Sequence, residues 1–99
     1  MSIAGLDALI HPPARLQLMA LLAEVSDMEF ATARELLDVS DSVLSKHLAQ
    51  LAAAEYIQLR KATVDGRQRT WIALSSAGRK AFRGHVAALQ QLAGLAAKA

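Results

Sequence analysis

The dipeptide Asp65-Gly66 constrains this chain more than any other pair of residues. It is a strong hairpin signal, because few sequences turn a strand back within two residues. Before it, Ile57 to Thr63 opens as an alternation, with Ile57 and Leu59 on one face and Gln58 and Arg60 on the other. After it, Gln68 to Leu74 returns with Thr70, Ile72 and Leu74 on one face and Arg67, Arg69 and Trp71 on the opposite one. The pattern predicts a two-stranded hairpin over residues 57–74.

The rest of the periodic sequence is helical. Ile3, Leu6, Leu9 and Ile10 suggest a short N-terminal helix that Pro12 and Pro13 interrupt. Proline suits a helix's first turn, so a helix is predicted over 12–23 with Leu16, Met19, Ala20, Leu22 and Ala23 on its apolar face. Met28 to Phe30 is a candidate short strand. Thr32-Ala33-Arg34-Glu35 has the form of a capping box opening a helix over 32–37. Asp38-Val39 makes a tight turn, and Ser40 is a good N-cap for a helix over 41–54. On that helix Leu44, Leu48 and Leu51 form the inward stripe. Ser75 or Ser76 caps a last helix over 76–97, whose apolar positions are Phe82, Val86, Leu89, Ala93 and Ala96, with Leu92 and Leu95 widening the stripe. His85 narrows it near the start. Gly66 and Gly78 read as turn and helix-packing residues.

Composition excludes several function classes. At 99 residues the chain is one domain's worth. With 54% hydrophobic and 20% charged residues it is not disordered, and with 4% aromatics its core must be aliphatic. The absence of cysteine excludes disulfides, thiolate zinc sites and cysteine nucleophiles, and fits a cytoplasmic protein. No apolar run approaches the ~20 residues of a membrane helix, and no secretion signal is visible. No catalytic group or cofactor signature is present, so an enzyme is not expected. His11, His47 and His85 lack metal-ligand spacing, so no metal is expected either.

The net charge of +2 conceals an uneven distribution: residues 1–41 carry −5 and residues 60–83 carry +6. A local basic excess points to an anionic partner.

The element order is mainly α with a small β-hairpin. A short helix, a tight turn and a second amphipathic helix make a helix-turn-helix, and a hairpin after it makes the winged variant. The major groove admits one α-helix, and Ser42, Val43, Lys46, His47 and Gln50 lie on the exposed side of the second helix as candidate DNA contacts. Arg67 and Arg69 of the wing are candidates for an adjacent minor groove, whose negative potential attracts arginine. Arg60 and Lys61 are weaker candidates. Arg79, Lys80 and Arg83 sit in a helix's first turns, where the dipole disfavours cations, and so hint at a nearby anion. Arg15 reads as a structural ion-pair partner, and Trp71 as a packing residue.

Leu37-Asp38-Val39-Ser40-Asp41-Ser42-Val43-Leu44-Ser45-Lys46-His47-Leu48-Ala49-Gln50-Leu51 resembles the helix-turn-helix of winged-helix transcriptional regulators of the MarR and ArsR type. Ala54-Glu55-Tyr56-Ile57 is similar to their link into the wing, and Asp65-Gly66-Arg67-Gln68-Arg69-Thr70 to their wing. Leu74-Ser75-Ser76-Ala77-Gly78-Arg79-Lys80-Ala81-Phe82 is similar to the start of their final helix, and His11-Pro12-Pro13-Ala14-Arg15-Leu16 to their first helix. The resemblance implies a homodimeric DNA-binding regulator, with recognition helix 41–54, wing tip 64–69 and dimer contacts from the terminal helices. For those contacts the chain offers Leu6, Leu9, Ile10, Phe82, Val86, Leu89 and Leu92. Two positions depart from the family's pattern: Asp38 and Glu55 stand where it often has glycine. Asp41 places a carboxylate at the start of the recognition helix, where it would repel a phosphate.

These readings predict a cytoplasmic transcription regulator, a repressor by preference. It would read a pseudo-palindromic site on double-stranded DNA as a homodimer, without a cofactor. Two alternatives stand beside it. One is a winged-helix dimer used as a protein-interaction module without DNA binding. The other is a regulator sensing a small-molecule effector between its dimer helices.

Overall fold

A computed structural model describes residues 4–98. Its elements are α1 (Pro13–Ala23), β1 (Met28–Glu29), α2 (Phe30–Leu37), α3 (Asp41–Ala53), β2 (Ile57–Val64), β3 (Arg67–Leu74) and α4 (Ser76–Lys98). The strands form one antiparallel sheet in the order β1-β3-β2. This is a winged-helix fold.

The core is aliphatic. Leu18, Met19 and Leu22 of α1, Ala33 of α2, Leu44, Leu48 and Leu51 of α3, and Ile57 and Ile72 of the sheet form one buried cluster. Ile10 completes it from outside the helices. Burial of each large aliphatic side chain contributes about 1.5–3 kcal/mol. The stripe on α3 therefore fixes which face of that helix turns inward, and leaves the opposite face to solvent.

The hairpin turn takes the form its sequence demands. Asp65 and Gly66 both have positive φ, at 51° and 78°. That pair of conformations matches the twist of the two strands. The register pairs Ile57 with Leu74, Leu59 with Ile72 and Arg60 with Trp71. Leu59 shares a face with the buried Ile57, yet it is 45% exposed. Its partner Ile72 on the central strand β3 is fully buried, whereas Leu59 lies on the edge strand β2.

Two junctions use left-handed residues. Asp38 closes α2 at φ 54°, and Glu55 follows α3 at φ 64°. These are the two positions where the sequence departs from glycine. Asparagine and aspartate tolerate this region better than glutamate does. The Glu55 carbonyl accepts a hydrogen bond from Ser75 Oγ at 2.6 Å, which ties the junction to the start of α4. Ser75 Oγ also accepts from the Gly78 N–H at 2.9 Å, capping α4. A Cβ on Gly78 would lie 2.0 Å from the Tyr56 carbonyl oxygen, so only glycine permits this approach.

Three expectations are corrected. Residues 4–10 form turns, not a helix, and Ile3 lies outside the described residues. Asp7 Oδ1 accepts from the Leu9 and Ile10 N–H groups at 2.9 and 3.4 Å, a local bond that competes with helix formation. Ile10, expected at a dimer contact, is fully buried in the core of its own chain. The capping box does not form either. α2 begins at Phe30, with Glu29 at its N-cap and no side-chain cap bond. Pairing of Met28 and Glu29 with Ile72 and Trp71 holds the chain up to that point, and Phe30 packs against the core, so the helix starts two residues early.

Candidate nucleic-acid interface

α3 presents the expected face to solvent. Ser42, Val43, Lys46 and Gln50 are exposed, and His47 is half-buried. Ser42, Val43, Ser45 and Lys46 surround a shallow hollow on this surface. Ser40 caps the helix, its Oγ accepting from the Val43 N–H at 3.2 Å. The first turn is thus fixed where base-reading residues of a helix-turn-helix sit.

Asp41 is not an unopposed carboxylate. Its Oδ1 lies 2.9 Å from Arg34 Nη1 of α2, and Arg34 also approaches Glu35 at 3.8 Å. The hydrogen bond and charge of Asp41 raise the Arg34 pKa. The repulsion expected at this helix end is therefore largely cancelled from across the turn.

Arg15 belongs to this surface, which sequence reasoning missed. Its Nε donates to the Leu9 carbonyl at 2.6 Å, and its Nη1 donates to Gln50 Oε1. The same Nη1 lies 3.5 Å from His47 Nδ1. Burial, then the charges of Arg15 and Lys46, lower the His47 pKa, so the ring is neutral at pH 7. With Nδ1 toward a permanent cation, the proton sits on Nε2, where it can be donated outward. Nothing in the spacing announced this group, since Arg15 and Gln50 are 35 positions apart.

The basic residues of the hairpin and α4 separate into two sets. Arg69 contacts both carboxylate oxygens of Glu29 at 3.1 Å, and is committed to the base of the wing. Arg60 lies over Trp71, 5.8 Å from the ring centroid, and 3.5 Å from Asp27. Arg79 donates to the Ala23 carbonyl at 3.2 Å. It thus serves the C-terminal end of α1, where a cation is favourable, so its position needs no external anion. Lys46, Lys61, Arg67, Lys80 and Arg83 form no ion pair among the described residues. Arg67 flanks the turn at the wing tip and is exposed.

The residues expected at a dimer contact also divide. Leu9 and Phe82 are half-buried against the chain's own core. Val86 and Leu89 are half-buried on α4. Leu6 is 44% exposed and Leu92 39% exposed. Every described residue of α4 after Leu89 is exposed, so the helix outruns its own domain. At 1.5 Å per residue its 23 residues span about 34 Å.

Two comparisons decide the family. Residues 14–93 match the family described as Winged helix DNA-binding domain. This chain belongs to that family. It is also 31% identical over 78 residues to the uncharacterized protein MJ0432 of Methanocaldococcus jannaschii, covering 79% of this chain and 85% of that one. Among solved structures, a transcriptional regulator homologue from Pyrococcus horikoshii OT3 superposes with a TM-score of 0.84 at 20% identity, over 89% of this chain and 87% of that one. The PcaV transcriptional regulator of Streptomyces coelicolor, solved with its natural ligand, gives 0.76 at 14% identity over 91% of this chain and 62% of its own. At these identities the structures show a shared fold. Within this winged-helix domain, no described helix is long and apolar enough to cross a membrane. No described group of three or more His, Cys, Asp or Glu residues is arranged to hold a metal ion.

Proposed function

We propose that this winged-helix protein is a transcription regulator that binds duplex DNA as a homodimer and acts as a repressor. α3 enters the major groove, where Ser42, Val43, Lys46 and Gln50 meet base edges and His47 Nε2–H meets a phosphate. Arg67 at the wing tip reaches the neighbouring minor groove. Arg69 contributes by holding the wing. The uncovered apolar half of α4, with Leu92 and Leu95, supports assembly through that helix together with Val86, Leu89 and Leu6. Two half-sites would lie about one helical turn, roughly 10 bp, or a small multiple apart on a pseudo-palindrome.

The observation that carries this reading is the outward face of α3. It has small and hydrogen-bonding side chains, a lysine without an acidic partner among the described residues, and a capped first turn. Selection from a random duplex pool, followed by a salt titration on the winning site, tests it. A two-fold symmetric site and a steep fall of affinity with salt are expected. No enrichment and no binding at low salt would leave the protein-interaction reading in its place.

That second reading has one specific observation in its favour. Leu36 is 58% exposed beside Leu21 and Leu37, in a hollow between α1 and α2 that also includes Glu24. For a small-molecule effector, the groove between residues 6–12 and α4, about 500 Å³, offers Leu6, Ala8, Pro12 and Leu92 as apolar walls. A rise of melting temperature with ligand concentration would reveal such a partner.

A further inference from the structure

His85 is a fully buried polar side chain in a domain with an aliphatic core. Its Nδ1 accepts from the Asp7 backbone N–H at 3.0 Å. An accepting ring nitrogen carries no proton, so the neutral ring bears its proton on Nε2. That nitrogen lies 3.3 Å from His11 Nδ1, and the rings meet edge to face at 72°. His11 Nδ1 must then be bare as well. A single relay runs from the Asp7 N–H through His85 to His11, and it exists only while both rings are neutral.

The same segment is fastened at other points. Asp7 Oδ2 accepts from the Tyr56 hydroxyl at 2.5 Å, and Asp7 Oδ1 binds the Leu9 and Ile10 N–H groups. Gly5 lies against α4 so closely that a Cβ there would sit 2.8 Å from the Gly84 carbonyl oxygen. Leu6, Asp7, Ala8, His11 and Pro12 together with His85 and Leu92 line the groove of about 500 Å³.

We propose that the His11–His85 pair makes residues 5–11 a proton-released latch on α4, closed while the buried His85 ring is neutral. A proton on His85 Nδ1 sets two N–H donors against each other at the Asp7 amide. A proton on His11 Nδ1 breaks only the outer bond, because the exposed His11 ring can turn away while the Asp7 N–H stays on His85. Opening removes Leu6 from beside Leu92 and alters the face of α4 on which assembly would occur. That last consequence rests on the dimer reading above; the latch itself does not.

The surrounding charges set the direction. The Asp7 carboxylate favours a charged His85, but burial and His11 oppose it more strongly, and the pKa falls below its ordinary 6.5. Tyr56 shares the Asp7 carboxylate, and Lys80 lines the adjoining hollow with both of them. A group whose folded value is depressed in this way is a base that folding keeps unprotonated. Its contribution is complete above the unfolded value and declines as pH falls below it.

Amide hydrogen exchange, corrected for intrinsic rates, tests the latch on the full chain at about pH 7.5 and about pH 5, with histidine ring carbons followed by NMR. The Asp7 and Ile10 amides should lose about tenfold or more protection in acid, while Leu48 and Leu51 keep theirs. The loss should follow a His85 midpoint below 6.5. His85→Gln keeps an acceptor and a donor without a titrating ring, and should make the protection independent of pH. Should that variant not fold, His11→Asn leaves the buried ring in place, removes the opposing charge, and should move the transition to higher pH. No loss in the original protein, or the same loss at the same pH in the variants, overturns the latch. Sedimentation at both pH values separates the two readings. A protein that is monomeric throughout removes the dimer and leaves the latch standing.

Discussion

Glu29 and Arg69 face each other across the join between β1 and β3, with both carboxylate oxygens 3.1 Å from one guanidinium nitrogen. Glu29 is only 21% exposed and Arg69 38%. An arginine at the start of a wing strand has thus been taken inward to anchor the hairpin. Arg69→Ala should cost about 0.5–1 kcal/mol of stability, as partly exposed pairs do. It should lower DNA affinity through wing disorder, and Glu29→Gln should reproduce part of the effect. A urea titration beside a binding curve separates the two. An Arg69→Ala protein of unchanged stability with a reduced salt slope would return Arg69 to the DNA contacts.

Arg67 should behave differently. It is exposed at the wing tip and has no acidic partner among the described residues. Arg67→Ala should leave the unfolding midpoint within ~0.5 kcal/mol of the original and flatten the slope of log affinity against log salt by about 1. An unaltered slope would remove the wing from the interface.

Asp41 and Arg34 form a pair that masks two charges at the start of α3. Asp41→Asn should release Arg34 for a phosphate and strengthen binding to all duplex sequences alike, most visibly at low salt. Measured affinities that fall, or that change for one sequence only, would contradict that account.

Arg15 holds the Gln50 amide oxygen, which leaves the amide N–H groups free to donate outward, to a base acceptor under the proposed function. Arg15→Met should change base preference at the position Gln50 reads, with a smaller, sequence-independent loss from the missing charge. Site selection with both proteins checks it. Identical selected sites would mean that Gln50 is not oriented by Arg15.

Glu55 adopts φ 64°, a conformation that disfavours a residue with a Cβ. Glu55→Gly should stabilise the fold by about 1 kcal/mol, less the added freedom of glycine in the unfolded chain. Asp38→Gly should gain less, because aspartate tolerates this region. Gly78→Ala should cost about 3 kcal/mol or prevent folding, since its Cβ would enter the Tyr56 carbonyl. Thermal unfolding of the three variants orders these effects.

The fold was largely legible because its signals are local. The Leu44-Leu48-Leu51 stripe, the Ser40 cap and the Asp65-Gly66 turn each act within a few residues, and each is found where its spacing put it. The two left-handed junctions at Asp38 and Glu55 were legible only through the family resemblance, whose members often carry glycine there. Local signals failed where a distant strand competed. The capping box at Thr32 and Glu35 lost to the pairing of Glu29 with Trp71.

What the sequence determined by itself, then, was the order of elements, their inward faces and the basic character of residues 60–83. Tertiary structure decided which charges are occupied. Arg15, Arg34, Arg69 and Arg79 meet Gln50, Asp41, Glu29 and the Ala23 carbonyl, partners up to 56 positions away. It also placed Ile10 in the core and made His85, which looks like an interruption of an apolar stripe, the buried centre of a hydrogen-bonded relay. The physical reason is the same in each case. Periodicity specifies a face, but the satisfaction of a buried or charged group depends on whichever atoms the completed fold brings within about 3 Å.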